Sequence, residues 1–303
     1  MKNVFNIICL FIITAFTACS RENIGEEQMV SQSQSINLVF SIKSIQTRKP
    51  QLDDTGSGNF SSGDNLLLSF SNIPTSSFIQ HKYIIEETQL KWADLMFANE
   101  SSEITIAGCF PVPALENNKK EIISIDISAQ DESADILLSP VQIHSYCTDQ
   151  PINMQFEHAM HQLKINYSSA DNTVSQEELH TISTICTAAT QCEINLKEGR
   201  FIAPIDDKKS EYAAQVGSNI SLIIVPQKSA SILLKANIMG QEKEIVLPSV
   251  TSDGTALVDL KGGHRTILRY DVSKKDDQTK ISFVGMDISG WEDGGIIDGE
   301  IEI

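Results

Sequence analysis

The chain has 303 residues and a formal net charge of −17 at pH 7. This acidity argues against nucleic acid as a partner, and the sequence has no basic cluster with interleaved aromatic residues. The length suits two domains of ordinary size, each able to bury its own core.

The amino end has the pattern of a secretion signal. Lys2 supplies a positive start, and the apolar run Val4 to Phe16 is too short to span a bilayer. The following Phe16-Thr17-Ala18-Cys19 resembles a bacterial lipobox, in which the cysteine is acylated and becomes the first residue of the mature chain. We therefore predict a signal peptide over residues 1–18 and lipidation of Cys19. The alternative is an ordinary signal peptide with a cysteine there by chance.

Lipidation has a physical consequence for location. Each buried methylene of an acyl chain contributes about 0.8 kcal/mol, so several chains on Cys19 give stable attachment to membrane lipid. Ser20 is not the aspartate associated with retention at the inner membrane, which favours a surface-exposed lipoprotein of the outer membrane. The polar residues that follow make 19–35 a flexible, lipidated tether.

Beyond the tether, apolar and polar residues alternate in short runs. Ile36, Leu38, Phe40 and Ile42 share one face of the first run. The same alternation returns in the runs EITIAGCF, EIISIDIS, SLIIVPQ, SILLKANI, EIVLPSV, ALVDL and TILRYDV. Turn-forming residues separate these runs, and only 177–182 suggests a helix, so the pattern predicts an all-β protein of antiparallel sandwiches. A break at Asp149-Gln-Pro151 divides it into 36–150 and 151–303.

The run Gln155 to Tyr167, QFEHAMHQLKINY, holds two histidines three residues apart. On a helix, His158 and His161 would share a face, as metal ligands often do. On a strand they would point to opposite faces. The alternation favours a strand, with a bulge around Ala159 to His161 joining two registers, and no third ligand lies nearby. We predict no metal site here.

Four cysteines remain after Cys9 and Cys19 are set aside: Cys109, Cys147, Cys186 and Cys192. A disulfide between Cys186 and Cys192 is geometrically feasible if the two flank a hairpin. Free, partly buried thiols are the equal alternative.

No motif for catalysis or for a cofactor stands out in the sequence. We find no nucleophile elbow, no phosphate-binding glycine loop and no spaced carboxylate pair, so we expect neither an enzyme nor a cofactor. The loop 53–64 has partial calcium-loop spacing, but Asp64 stands where a bidentate glutamate is usual. Trp92 and Trp291 are candidates for contact with a sugar, although sandwiches usually bury such tryptophans.

Several short motifs, taken in order, resemble the fimbrillin family of lipoproteins from Bacteroidota. The early "TR … F..GD" pattern is matched by Thr47-Arg48 and by Phe60-Ser-Ser-Gly-Asp64. Phe156-Glu-His-Ala-Met-His-Gln-Leu163 is similar to the family's "F.HALSKL" strand. Further matches in family order are Ile106 to Pro111 (with Gly108 and Cys109 replacing aromatics), Ser133 to Leu138, Val225 to Gln227, Gly262 to Tyr270 and Ile288 to Trp291. The resemblance covers nearly the whole mature chain.

The resemblance implies two tandem antiparallel β-sandwich domains, transthyretin-like in type, in a fimbrial subunit that serves in adhesion. It also implies that the precursor is cut after an arginine, that the first strand leaves, and that a strand of another subunit takes its place. Here the cut would follow Arg48, with Lys49 as a competing basic site, and the displaceable strand would present Ile36, Leu38, Phe40 and Ile42.

The candidate donor strand is the carboxyl-terminal tail, in which Ile301 and Ile303 would enter apolar pockets. The alternative for the tail is an ordinary terminal strand. Expected partners are other fimbrial subunits, outer-membrane lipid through Cys19, and a protein or glycan on a host or bacterial surface. Two other functions stay open, namely a monomeric glycan-binding surface lipoprotein and an anchor or tip protein that does not polymerise.

Overall fold

The computed structural model describes residues 33–43, 60–72, 77–95, 97, 103–114, 120–131, 133–245, 247–248, 259–275 and 278–290. These residues form almost only strands, so the prediction of an all-β protein is confirmed. The strands are β1 (Leu38–Ile42), β2 (Asn65–Asn72), β3 (Phe78–Ile84), β4 (Glu103–Phe110), β5 (Ile122–Asp126), β6 (Leu137–Ser145), β7 (Ile152–His158), β8 (His161–Ser168), β9 (Ser183–Ala189), β10 (Gln191–Asn195), β11 (Arg200–Pro204), β12 (Lys209–Glu211), β13 (Gln215–Val216), β14 (Asn219–Ile224), β15 (Gln227–Lys228), β16 (Leu233–Ile238), β17 (Gln241–Ile245), β18 (Asp259–Leu260), β19 (His264–Lys275) and β20 (Gln278–Gly290).

Helical structure is limited to short pieces in the described ranges. Two 3₁₀ turns span Trp92–Leu95 and Ser229–Ser231, and one α-helix, α1, spans Gln176–His180. A capping box begins α1, since the Ser175 hydroxyl accepts from the Glu178 N–H at 3.2 Å and the Glu178 carboxylate accepts from the Ser175 N–H at 2.8 Å. The helical candidate at 177–182 overlaps α1, which ends at His180. None of the described helices has the length and apolarity that a bilayer crossing requires.

The strands form five sheets in the described part of the chain. A six-stranded sheet has the order β1-β7-β6-β4-β2-β3 and takes all its strands except β7 from the first half. The second half contains a four-stranded sheet, β14-β8-β19-β20, and a second sheet of order β12-β9-β16-β17, with β13 also paired to β9. The remaining sheets are β11-β10-β5 and the short pair β15-β18.

Two groups of buried apolar side chains form separate cores. The first is formed by side chains of the six-stranded sheet and of the turn at Trp92–Leu95. It includes Leu66, Phe70, Trp92, Ile106 and Phe156. The second core is larger and is built mainly from residues after position 158. It also takes in residues of the first half, among them Cys109 and Leu138 from the six-stranded sheet and Ile123 from β5, which pairs with β10.

Two strands pair across the predicted division at 150/151. β5, which precedes the division, pairs with β10, while β7, which follows it, pairs with β1 and β6. The β10–β11 turn lies against the outer side of the six-stranded sheet, where the Val141 N–H donates to the Glu198 carbonyl at 3.0 Å. The two units 36–150 and 151–303, each with its own sandwich, stay a prediction.

The structure does not contain the single bulged strand that the sequence predicts over 155–167. β7 ends at His158, β8 begins at His161, and the two strands lie in different sheets. The physical reason is that their apolar side chains serve different cores. Phe156 packs in the first core, whereas Met160 and Leu163 pack in the second, so the chain changes sheets between them.

Candidate functional site

The first described strand, β1, occupies an edge of the six-stranded sheet. Among the described strands it pairs with β7 alone, in parallel, with Leu38 opposite Ile152 and Ile42 opposite Phe156. Parallel pairing of neighbouring strands requires a long connection, and here more than a hundred residues separate the two. The groove that holds β1 is therefore built by residues distant in sequence.

Backbone hydrogen bonds hold the segment at both ends. On the amino side, the Ile36 N–H donates to the Leu90 carbonyl at 2.8 Å, and the Trp92 N–H donates to the Gln34 carbonyl at 3.3 Å. On the carboxyl side, the Lys43 N–H donates to the Phe156 carbonyl at 2.8 Å. These bonds extend the contact of the segment beyond the strand itself, to residues 34–43.

The four apolar residues of the predicted displaceable strand do share one face, and that face points into the first core. Ile36 and Ile42 are each 7% exposed, and Leu38 and Phe40 are partly buried against the same core. Val39, between them, is 45% exposed because it points the other way. The segment thus fills a groove with one side and presents the other to solvent.

An aromatic pocket surrounds Phe40 at the middle of the groove. The ring centroid of Phe40 lies 5.1 Å from that of Tyr83 and 6.4 Å from those of Phe60 and Phe156. Phe60 in turn packs edge-on against Phe156 at 5.0 Å and Phe110 at 5.4 Å. Tilted and edge-to-face contacts at such distances stabilise by about 0.5–1.5 kcal/mol beyond burial alone. Burial also raises the pKa of the Tyr83 hydroxyl.

Gly108 makes room for one wall of this pocket. A Cβ atom at this position would lie 2.5 Å from Cζ of Phe156 and 3.2 Å from Cε of Met154. The ring of Phe156 from β7 therefore rests directly on the backbone of β4. Glycine at this position therefore leaves the space that the ring occupies.

One ion pair joins the carboxyl end of the segment to the groove. Nζ of Lys43 lies 3.1 Å from Oε1 of Glu157, and both side chains are nearly half exposed. Exposed pairs of this kind contribute about 0–1 kcal/mol. Apolar burial and backbone pairing therefore dominate the hold on β1.

Trp92 lies at the amino end of the groove and is fully buried. Its ring packs edge-on against Tyr146 at 5.4 Å, and the Tyr146 hydroxyl donates to the Trp92 carbonyl at 3.2 Å. Its indole N–H has no hydrogen-bond partner among the described residues. Trp92 is a core residue, so its ring face is not accessible to a sugar.

The two histidines lie at the change of sheets, and each has partners of its own. Nδ1 of His158 lies 2.9 Å from a carboxylate oxygen of Asp135. His161 donates from Nδ1 to the Lys261 carbonyl at 2.8 Å, which leaves Nε2 to accept from the Thr266 hydroxyl at 3.0 Å. Burial lowers the pKa of His161 to about 4. Within the described ranges, no group of three or more His, Cys, Asp or Glu side chains is arranged to hold a metal ion.

Cys186 and Cys192 are free, buried thiols in the structure. The hairpin that a disulfide between them required does not form, because β9 and β10 follow one another but belong to different sheets. Cys186 lies opposite Leu234, and Cys192 lies opposite Ile125. Burial raises the pKa of both thiols to about 12, as it does for Cys109.

Several predicted site residues lie outside the described residues. They are Cys19, Arg48, Trp291, Ile301 and Ile303, together with residues 53–59 of the calcium-like loop. Asp64, at the end of that loop, is described, and its carboxylate accepts from the Ser61 N–H at 2.7 Å. That contact gives Asp64 a role in the turn before β2.

Solved structures share this fold. A candidate cell adhesion protein of Bacteroides uniformis aligns with a TM-score of 0.62 and 14% identity over 85% of this chain and 98% of its own. Another from Bacteroides ovatus aligns with a TM-score of 0.55 and 13% identity over 86% and 98%. The tip fimbrial protein Mfa3 of Porphyromonas gingivalis aligns with a TM-score of 0.47 and 10% identity over 85% and 100%. The sequence matches no curated protein.

A family model described as fimbrillin-like matches residues 57–291, which is most of the chain. The match begins just before the Phe60 wall of the aromatic pocket and includes every strand after β1. The chain belongs to the fimbrillin-like family.

Proposed function

We propose that the protein is a structural subunit of a bacterial fimbrium that serves in adhesion, anchored in the outer membrane through a lipid on Cys19. Assembly proceeds by proteolysis and strand exchange, in which a cut after Arg48 allows β1 to leave its groove. Family membership supports a fimbrial or adhesion role. The observation that carries the exchange step is the position of β1, at a sheet edge with one face inserted into the core.

Removal of β1 would leave an acceptor groove. Four apolar side chains would leave the core, and burying each contributes about 1.5–3 kcal/mol. The edge of β7 would also lose its backbone partner, and an open edge pairs readily with another strand. A strand from a second subunit would restore both contributions, which makes exchange favourable without a disulfide or a metal.

The candidate donor is the tail containing Ile301 and Ile303. Those two residues have the two-residue spacing that places side chains on one face of a strand. Glu300 and Glu302 would then face solvent. In this proposal, the outward side of the new strand is acidic and the inward side is apolar.

Treatment of the purified precursor with an arginine-specific protease tests the proposal. We expect a cut after Arg48, found by amino-terminal sequencing, followed by a ladder of polymers on unheated gels. Arg48→Ala is the matched control. It keeps Lys49, which an arginine-specific protease does not cut, so it should give neither the cut nor the ladder. A subunit that is trimmed at this site and stays monomeric would contradict polymerisation and favour an anchor or tip protein, or a monomeric lipoprotein.

A further inference from the structure

We propose that the aromatic pocket around Phe40 selects the strand that enters the groove. Its preferred occupant is an extended segment with an aromatic residue flanked at two positions on either side by aliphatic residues. Such a segment would come from a different subunit rather than from the tail of a second copy of this chain. This inference rests on the proposed strand exchange.

The pocket is built by elements that stay behind when β1 leaves. Tyr83 lies on β3, Phe110 on β4 and Phe156 on β7, while Phe60 lies just before β2. Phe156 is fully buried, and its ring packs against the backbone at Gly108, which holds the ring in place. The pocket is therefore preorganised, and a rigid aromatic site discriminates by shape.

Phe40 is the aromatic member among the four inward residues of β1. Leu38 and Ile42, two positions before and after it, provide aliphatic side chains that pack on the same core. Three of the pocket rings lie within 6.4 Å of Phe40, at interplanar angles between 53° and 83°. A smaller aliphatic side chain at this position would leave part of these rings without contact.

The tail of this chain does not offer an aromatic residue at the matching position. If Ile303 takes the place of Ile42, Ile301 takes that of Phe40 and Gly299 takes that of Leu38. If the tail enters in the opposite direction with Ile303 in place of Ile36, Gly299 falls at the pocket. In either direction the rings would meet a residue smaller than phenylalanine.

Peptide binding to the full chain tests the selection. A specific protease sequence placed between Lys43 and Phe60 allows the chain to be cut without reliance on Arg48. The nicked protein is then mixed with fluorescent peptides, and exchange with the bound segment is followed by polarisation. The peptides are residues 34–43, their Phe40→Ala and Val39→Ala variants, residues 294–303, and that tail peptide with Ile301→Phe.

We expect the 34–43 peptide to bind, and Phe40→Ala to weaken it by well over tenfold. Val39→Ala, which changes the outward face, should alter binding by about twofold or less, since Val39 is half exposed. The tail peptide should bind more weakly than the 34–43 peptide, and Ile301→Phe should improve it by about three- to tenfold, in line with a new aromatic contact.

The outcomes separate the two proposals. If the 34–43 peptide and the tail peptides all fail to bind the nicked protein, strand exchange itself is contradicted. If the 34–43 peptide binds and Phe40→Ala binds equally well, exchange stands and pocket selection is overturned. Equal binding of the natural tail and its Ile301→Phe variant would also overturn selection.

Discussion

The ring of Phe156 lies where a side chain on Gly108 would have to be. The two residues belong to β7 and β4, which lie in the same six-stranded sheet with β6 between them. Because a Cβ atom at Gly108 would come within 2.5 Å of the ring, the ring and the glycine form one unit of packing. The whole aromatic pocket depends on this contact.

Gly108→Ala should therefore destabilise the protein. The added methyl group forces Phe156 to move, and overpacking of this kind costs about 1–3 kcal/mol. Denaturant unfolding followed by tryptophan fluorescence measures the change. Gly285→Ala in β20 is the matched control, because a Cβ atom there meets nothing within 4 Å, and its stability should stay close to the natural value. Equal stability of both variants would contradict the packing described.

Buried His161 should make stability depend on pH. Burial lowers its pKa from 6.5 to about 4, so the unfolded chain binds the proton more readily than the folded chain. The free energy of unfolding is therefore unaffected by His161 above pH 6.5. It falls as pH drops from there towards 4, by a total of about 3 kcal/mol.

The contribution of His161 is isolated by comparison with His161→Gln over pH 7.5 to 5. The neighbouring His264 further lowers the pKa of His161, and partial burial lowers the pKa of His81 and His144, so these two rings titrate with the same sign. Because these groups stay in both proteins, their effects cancel in the difference. The variant should show a shallower fall in unfolding free energy with acid, and parallel curves would count against the assignment.

The thiols should differ in reactivity in the folded protein. Cys109, Cys186 and Cys192 are buried, with pKa values raised to about 12, whereas Cys147 is partly exposed. Because the thiolate is the reactive form, an alkylating reagent should modify Cys147 first. In denaturant without reductant, all four should react, as located by peptide mass spectrometry. Protection of Cys186 and Cys192 together until reduction would reveal a disulfide.

Cys19→Ala should abolish the membrane attachment of the chain in cells. The acyl chains on Cys19 supply the predicted anchor, and their loss removes the apolar surface that holds the protein in the bilayer. Fractionation of cells and metabolic labelling with a radioactive fatty acid measure the effect. Ser20→Ala is the control and should keep both label and membrane fraction. Label retained on Cys19→Ala would show that lipid is attached elsewhere.

Local patterns predict those strands in which apolar and polar residues alternate along the sequence. The inward residues of β1 were predicted from alternation alone, and the run EITIAGCF matches β4 from Glu103 to Phe110. α1 was found from a short helical spacing, and its capping box makes that signal reliable. In each case the sequence around the element contains the physical cause of its structure.

Other strands lack this local signature. β2 has no alternation because Leu66, Leu68 and Phe70 pack in the first core while Leu67, between them, packs in the second. The change of sheets after His158 likewise depends on which core receives each side chain. The aromatic pocket joins residues spread from 40 to 156, so only strand pairing brings it together. No spacing rule along the chain could have found it.

The short link between β7 and β8 has a mechanical consequence. Among the described strands, β7 is the sole neighbour of the strand in the groove, and β8 lies between β14 and β19 in the four-stranded sheet. If the strand in the groove were pulled along its length, its hydrogen bonds to β7 would be loaded together, in shear. Because Ala159 and Met160 join β7 to β8, part of that load would pass directly from the six-stranded sheet into the four-stranded sheet.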